Sequence, residues 1–328
     1  MDATISTLLG AISLGEAVSS RGLTLVPVFG QTPDAPEFVT LAEALDAGSL
    51  VVTEVDKGGS VPELLARNEG GVGVLVLDGE ELAGAKQNRV LNTSIYLSPG
   101  AEIVVPVSCT EQGRWRHISE RFIDSGHVAA HEVRRAAHSS VTASVRSGGS
   151  YRSDQGLVWN EVERLSSRHA VASPTAAMRD VYERQAARMR DLVERFAPAD
   201  GQTGVFALWD GAVIGFDVLA TPAAYARVHD RLVRSYALDA LAREGSAGED
   251  DLRTAKEWLV TLADTTATKH DPPGDGTSYR FTGPGVVGSA LVVDGCALHA
   301  VFFAAQPDSA GRGGSRYPSA RERRDRLG

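Results

Sequence analysis

Val72-Gly73-Val74-Leu75-Val76-Leu77-Asp78-Gly79 is an apolar, β-rich run that ends in a tight-turn dipeptide, and it reads as a strand followed by a chain reversal. Similar runs lie on both sides, at 23–29, 50–55, 93–97 and 103–107, each bounded by Gly, Pro, Asn or Asp. Their close spacing predicts an antiparallel arrangement, with a short helix over 39–46 between the first two. The first half of the chain is therefore expected to be β-rich.

Beyond about residue 119 the periodicity changes. Val128, His131, Val133, Ala137 and Val141 recur at helical spacing, with basic residues between them. Ser173-Pro174 predicts a helix start, and Met178, Val181, Tyr182, Gln185, Met189, Leu192, Val193 and Phe196 then share one stripe. Asp210-Gly211 and Asp294-Gly295 predict two further hairpins. Between them, one helix starts at Thr221-Pro222 and another covers about 251–263. The chain thus reads as α+β: an antiparallel β-rich N-terminal half, a sheet or sandwich, followed by helices and β-hairpins packed on it. Residues 1–120 are the β-rich region, 121–306 an α+β region continuous with it, and 307–328 a basic tail expected to be disordered.

Bulk composition narrows the function classes. With 328 residues, 43% hydrophobic and 23% charged, the chain resembles an ordinary globular protein. No apolar run approaches the roughly 18 residues of a membrane span, so no membrane partner is expected. The start lacks Lys and Arg before Arg21 and carries Asp2 and Glu16, unlike a secretory signal, which predicts a cytoplasmic location. Cys109 and Cys296 form neither a disulfide framework nor a zinc spacing. A net charge of −9 argues against an extended nucleic-acid surface. The P-loop, the dinucleotide-binding glycine fingerprint, the zinc-protease helix and the nucleophile elbow are all missing from the sequence. His127, His131 and His138 read as surface histidines, so no metal site is expected, and nothing in the sequence specifies a cofactor.

Polar chemistry concentrates between Gly79 and Trp115. Glu80, Glu81, Lys86, Gln87, Asn88, Arg89 and Asn92 fall in the connection between two apolar strands and mix carboxylates, cations and carboxamides. A second knot, Cys109-Thr110-Glu111-Gln112-Gly113-Arg114-Trp115, follows the 103–107 strand, and an antiparallel meander would bring it beside the first. Together they suit a phosphorylated, base-bearing ligand. Lys86, Arg89 and Arg114 would hold phosphate, Trp115 would stack, and Glu80 and Glu111 would serve as general acid and base. Gln87, Asn88 and Asn92 supply planar amides, and Gln155 and Trp159 form a lid or rim. The same residue types also build salt-bridge and amide networks that simply hold a sheet together.

The runs 77–89, 92–94 and 106–115 resemble the hallmark of the ARG and Rhodanese-Phosphatase-superfamily-associated protein domain, a prokaryotic family named for keeping company with ADP-ribosylglycohydrolases and rhodanese-like phosphatases. Ser153-Asp154-Gln155, Trp159, Ser173-Pro174-Thr175 and Ser235-Tyr236-Ala237 resemble its later blocks. The resemblance covers about residues 10–305. It implies a ligand related to ADP-ribose or NAD, with those enzymes as protein partners. It also implies that Glu80, Lys86, Gln87, Asn88, Arg89, Asn92, Glu111, Arg114 and Trp115 belong to the site. The alternative is a non-catalytic module that senses such a nucleotide or docks on a partner.

Overall fold

The structure, a computed structural model, describes residues 3–30, 32, 34–55, 62–114 and 119–305. The basic tail and Trp115 lie outside the described residues.

The largest sheet has nine strands among the described residues. Leu23–Phe29, from the β-rich half, pairs with Gly204–Trp209; the sheet then continues through Ala212–Leu219, Cys296–Ala304, Val286–Val293, Thr277–Gly283 and Thr266–His270, antiparallel throughout. The period-two alternation of its strands gives it two buried faces. Leu23, Leu25, Val205, Ala207 and Leu219 face one core, shared with the helices His131–Arg146, Gln155–Arg168, Met178–Val193 and Pro222–Ala240. Val26, Val28, Phe206, Leu208, Phe216 and Phe302 face another, covered by Ala3–Gly10 and Asp251–Thr261.

Two smaller sheets come from the first half. The six-stranded one runs Ile123–Val128, Glu80–Ala83, Arg89–Leu91, Glu102–Cys109, Glu63–Asn68, Leu50–Glu54. The three-stranded one runs Ile95–Leu97, Gly73–Val76, Phe38–Thr40, and its last pair is parallel. Leu64, Val76, Leu82, Leu91 and Val107 share a third core with the Leu41–Asp46 helix, which Thr40 and Glu43 close with a capping box.

Three sequence expectations shift. The 79–94 connection is not a surface loop: it contains the paired strands Glu80–Ala83 and Arg89–Leu91, and from Gly73 to Leu97 every residue except Lys86 is buried. Polarity predicts exposure only when polar groups lack internal partners, and here they partner one another. The second long helix starts at Met178, because Ser173 Oγ accepts the Ala177 N–H at 2.8 Å and caps a turn ahead of it. His127 lies in a strand, and His131 and His138 are buried on their helix rather than exposed.

A charged network ties these layers together. Arg134, on the buried face of its helix, places Nη2 2.6 Å from Asp78 Oδ1 and 2.7 Å from Asp217 Oδ1, and Nη1 3.0 Å from Asp217 Oδ2. Tyr236 donates to Asp217 at 2.6 Å. Ser94 Oγ accepts the Asp78 N–H and lies 2.7 Å from His299 Nδ1, whose Nε2 faces Asp217 at 3.3 Å. That pattern assigns the His299 proton to Nε2. Burial alone would raise both aspartates, but Arg134 more than offsets it, holding Asp217 at about 2 and Asp78 well below the usual carboxylate range. Two glycines make room: a Cβ at Gly79 would lie 2.9 Å from Arg134 Cδ, and one at Gly215 would lie 2.5 Å from the Tyr236 hydroxyl.

Candidate functional site

The two polar stretches meet. Strand Glu102–Cys109 pairs with Arg89–Leu91 in the register Val107↔Leu91, Ser108↔Val90, Cys109↔Arg89, which carries the residues after Cys109 directly over the 84–88 turn. Glu111 Oε2 there accepts the Asn88 N–H at 3.2 Å and lies 2.8 Å from Arg114 Nε; its Oε1 accepts from Thr175 at 2.9 Å. Arg114 also donates to the carbonyls of Ala85 at 2.8 Å and Gly84 at 3.3 Å, and to Asn88 Oδ1 at 3.0 Å. Gln87 donates to the Glu111 carbonyl at 2.8 Å and accepts from Arg89 at 3.2 Å. The half-buried guanidinium of Arg114 therefore organises the turn through carbonyls and a carboxylate.

Other candidates have separate settings. Asn92 Oδ1 accepts from Ser108 at 2.6 Å, and its amide donates to the Tyr151 carbonyl at 3.0 Å. Gln155 clamps the backbone of Cys109, accepting its N–H at 2.8 Å and donating to its carbonyl at 2.9 Å. Arg89 Nη2 lies 3.9 Å from Glu54 Oε1. Lys86 is half-buried on the turn. Burial pushes the Cys109 thiol up to about 11, so at neutral pH it is an inert thiol.

Glu80 does not join Glu111. Successive strand residues point to opposite faces, and Glu80 Oε2 accepts the Leu77 N–H at 2.7 Å while Oε1 faces Arg231 at 3.8 Å. Glu81, on the other face, accepts from Thr110 at 2.7 Å and lies near Glu111, Ser125 and Arg179. Burial raises both carboxyls to about 7, against the opposing pull of Arg231 on Glu80 and of Thr110 on Glu81. The strand Ile123–Val128, irregular between Asp124 and Val128, passes beside them. Asp124 holds Arg231 in a two-pronged contact at 2.9 and 2.6 Å, and His127 stacks on Tyr182 with centroids 4.4 Å apart. Burial, reinforced by Arg234, Arg179 and Arg231, lowers His127 to about 4. Sequence reading named Glu81 without giving it a role and missed Asp124 and Arg231 in this setting.

An open cleft of about 540 Å³ lies next to the knot. Gln112, Trp159, Glu163, Ser166 and Ser173 supply its polar lining, with Val162, Val171 and Ala176 among its apolar residues. Trp159 Nε1 and Ser166 Oγ are buried without a hydrogen-bond partner. The cleft meets the knot at Gln112, whose carbonyl lies 3.4 Å from the Gln87 amide. Among the described residues, no group of three or more His, Cys, Asp or Glu side chains is placed to hold a metal ion, and no helix is long and apolar enough to cross a membrane.

Fold and site together define an α+β protein in which a long polar stretch is built into the interior, with a Trp-walled cleft opening beside it. The chain belongs to the ARG and Rhodanese-Phosphatase-superfamily-associated Protein domain family, whose pattern matches residues 11–303. That name links it to ADP-ribosylglycohydrolase and rhodanese-phosphatase systems. No curated protein and no solved structure matches it.

Proposed function

We propose that the chain binds an ADP-ribose- or NAD-derived phosphorylated nucleotide, with the base in the Trp159 cleft. The observation that carries this reading is an open cleft of about 540 Å³ beside the knot, lined by Trp159 with Gln112, Glu163 and a set of serines. That volume suits a small-molecule ligand, for which about 300–1,000 Å³ is usual. The indole suits stacking on a base, Gln112 and the serines suit its edge, and Glu163 suits ribose hydroxyls. Lys86, half-buried on the adjoining turn, is assigned to the phosphate, and Arg114 to holding that turn in place.

A specific observation favours a sensing or docking module over an enzyme. Glu80, Glu81 and Glu111 are buried, and none of them lines the cleft. In the catalytic version of the proposal Glu111, held at the turn beside the cleft, is the base, and Glu81, protonated up to about 7, is the acid. The ADP-ribosylglycohydrolase and rhodanese-like phosphatase proteins of the family's name are then the proposed partners.

Thermal-shift and calorimetric titration with ADP-ribose, NAD and AMP tests the binding claim. A nucleotide at 100 times its Kd should add about 2.7 kcal/mol of stability. Trp159→Ala should weaken binding by roughly 1–3 kcal/mol, and Trp159→Phe by less. Binding that ignores Trp159, or no binding at all, would defeat the proposal. Mass spectrometry of the same mixtures separates the two versions: turnover abolished by Glu111→Gln supports the enzyme, and unchanged nucleotide supports the module.

A further inference from the structure

Arg280 is fully buried in the large sheet, with an incomplete set of partners. Its Nη2 donates to Thr93 Oγ1 at 2.6 Å, while Nε and Nη1 have no hydrogen-bond partner. Arginine stays charged in proteins, so both groups keep their demand for an acceptor. Buried polar groups in native proteins are nearly always satisfied, so a cluster of unsatisfied ones calls for a water or an ion to complete it.

The register places Arg280 on the face that the His131–Arg146 helix covers. Arg280 pairs with Ser289, Ser289 with Val301, and Val301 with Asp217, a row that projects to one side of the sheet. Arg134, His138, Thr142 and Arg146 follow one another at single-turn spacing. Arg134 binds Asp217 at one end of the row, and Arg146 hydrogen-bonds Thr282, two residues from Arg280, near the other. His138 and Thr142 therefore span the ground between. The Tyr151 ring closes the group from the other side, 5.1 Å from the guanidinium carbon. His138 Nε2 and Thr142 Oγ1, like the two Arg280 nitrogens, are buried without a close hydrogen-bond partner, and the Tyr151 hydroxyl interacts with Ser278 and Arg280 at the edge of the group.

The chemistry of these atoms is specific. His138 Nδ1 faces the Asp78 carboxylate at 3.2 Å, which assigns the ring proton to Nδ1 and leaves Nε2 an acceptor. One side of the niche thus offers cationic N–H groups, another a lone pair, and two hydroxyls can play either part. A halide would satisfy the donors and leave His138 Nε2 unmatched. We infer that this niche binds a small oxyanion that carries a proton, of the hydrogen-phosphate class, with its anionic oxygens on Arg280 and its hydroxyl on His138 Nε2. Entry is past Tyr151, which follows the exposed residues 147–150 and is anchored by the Asn92 amide on its carbonyl. The site is separate from the Trp159 cleft and does not depend on the nucleotide reading.

Calorimetric titration of the full chain at neutral pH and equal ionic strength, with inorganic phosphate, sulfate and chloride, tests this. Phosphate should bind, and sulfate, which carries no proton there, should bind about tenfold more weakly or worse. Tyr151→Phe and Thr142→Val each remove one hydroxyl and should weaken phosphate about tenfold, with the Tm in its absence little changed. In crystals grown with arsenate, the anomalous signal should fall between Arg280 and His138. Competition by ribose 5-phosphate would identify the niche as the phosphate seat of a larger ligand; lack of competition would identify free phosphate. Equal affinity for sulfate, wild-type binding by both variants, or water alone beside Arg280 would overturn the inference.

Discussion

At Asp210-Gly211 both residues take positive φ, 50° and 76°, the pattern of a two-residue hairpin turn, and the aspartate is exposed with its carboxylate on the Ser246 N–H at 3.1 Å. Asp294-Gly295 repeats the geometry at 50° and 78°. Asp78-Gly79 has the same two residues after the same kind of apolar run, yet only Gly79 has a positive φ, 81°, and Asp78 is buried against Arg134 and His138. The difference lies far away in the chain. Asp210 answers to its own turn, whereas Asp78 answers to a helix 56 residues on, whose guanidinium also holds Asp217. A local turn signal is thus a statement about backbone permission, and the partner that arrives from elsewhere decides whether the turn faces water.

The largest expected effect follows from that partner. Arg134→Met leaves Asp78 and Asp217 buried without their cation and should cost roughly 3–5 kcal/mol in urea denaturation. Adding Asp78→Asn and Asp217→Asn to the same chain should recover much of the loss, because the stranded charges are then gone. Asp210→Asn should stay within about 0.5 kcal/mol. If Arg134→Met were as mild as Asp210→Asn, the contrast between the two turns would collapse.

A smaller pair tests the glycines. Gly211→Ala places a Cβ at positive φ with its nearest neighbour atom, Gly248 Cα, at 3.2 Å, and should cost roughly 1–2 kcal/mol. Gly79→Ala meets the same backbone strain and also forces Arg134 Cδ away from 2.9 Å, which should add roughly 1 kcal/mol or more. Equal melting temperatures for the two variants would mean that the Arg134 side chain adjusts freely.

These contrasts explain what the sequence could reveal. The α+β class was legible because strands such as Leu23–Phe29 and helices such as Pro222–Ala240 carry their own periodicity and caps. The meeting of the 84–88 and 109–114 segments was legible too, since an antiparallel meander required their neighbouring strands to pair. What stayed hidden was direction and depth. Nothing local distinguishes Glu80 from Glu81, yet one faces Arg231 and the other Thr110. The 79–94 stretch looked like surface because its polarity is satisfied by residues such as Glu111, Thr110 and His299, which are 23, 29 and 205 positions from the groups they meet. Glu63–Asn68 and Gln155–Arg168 escaped because their buried faces carry few apolar side chains: Leu64 and Ala66 with the polar Asn68 on the strand, and Val158, Val162 and Leu165 on the helix.

A last test concerns two neighbouring carboxyls, Asp78 and Glu81, with opposite shifts. Asp78 is held ionised by Arg134, whereas burial holds Glu81 protonated up to about 7. A raised carboxyl stabilises the fold fully below its unfolded value, near 4.5, and that contribution is lost as pH climbs to 7. Over the same window His127 and His131, lowered to about 4 by burial, act with the reverse sign, because the unfolded chain binds protons that the folded one refuses. The wild-type profile should therefore be shallow. Glu81→Gln removes one falling contribution, so its stability relative to wild type should rise with pH by up to about 1.4 kcal/mol per unit between 4.5 and 7, read by urea denaturation at stepped pH. A difference that stays flat across that window would mean Glu81 is ionised in the folded protein, and the acid role proposed for it would fall while the Trp159 cleft stood untouched.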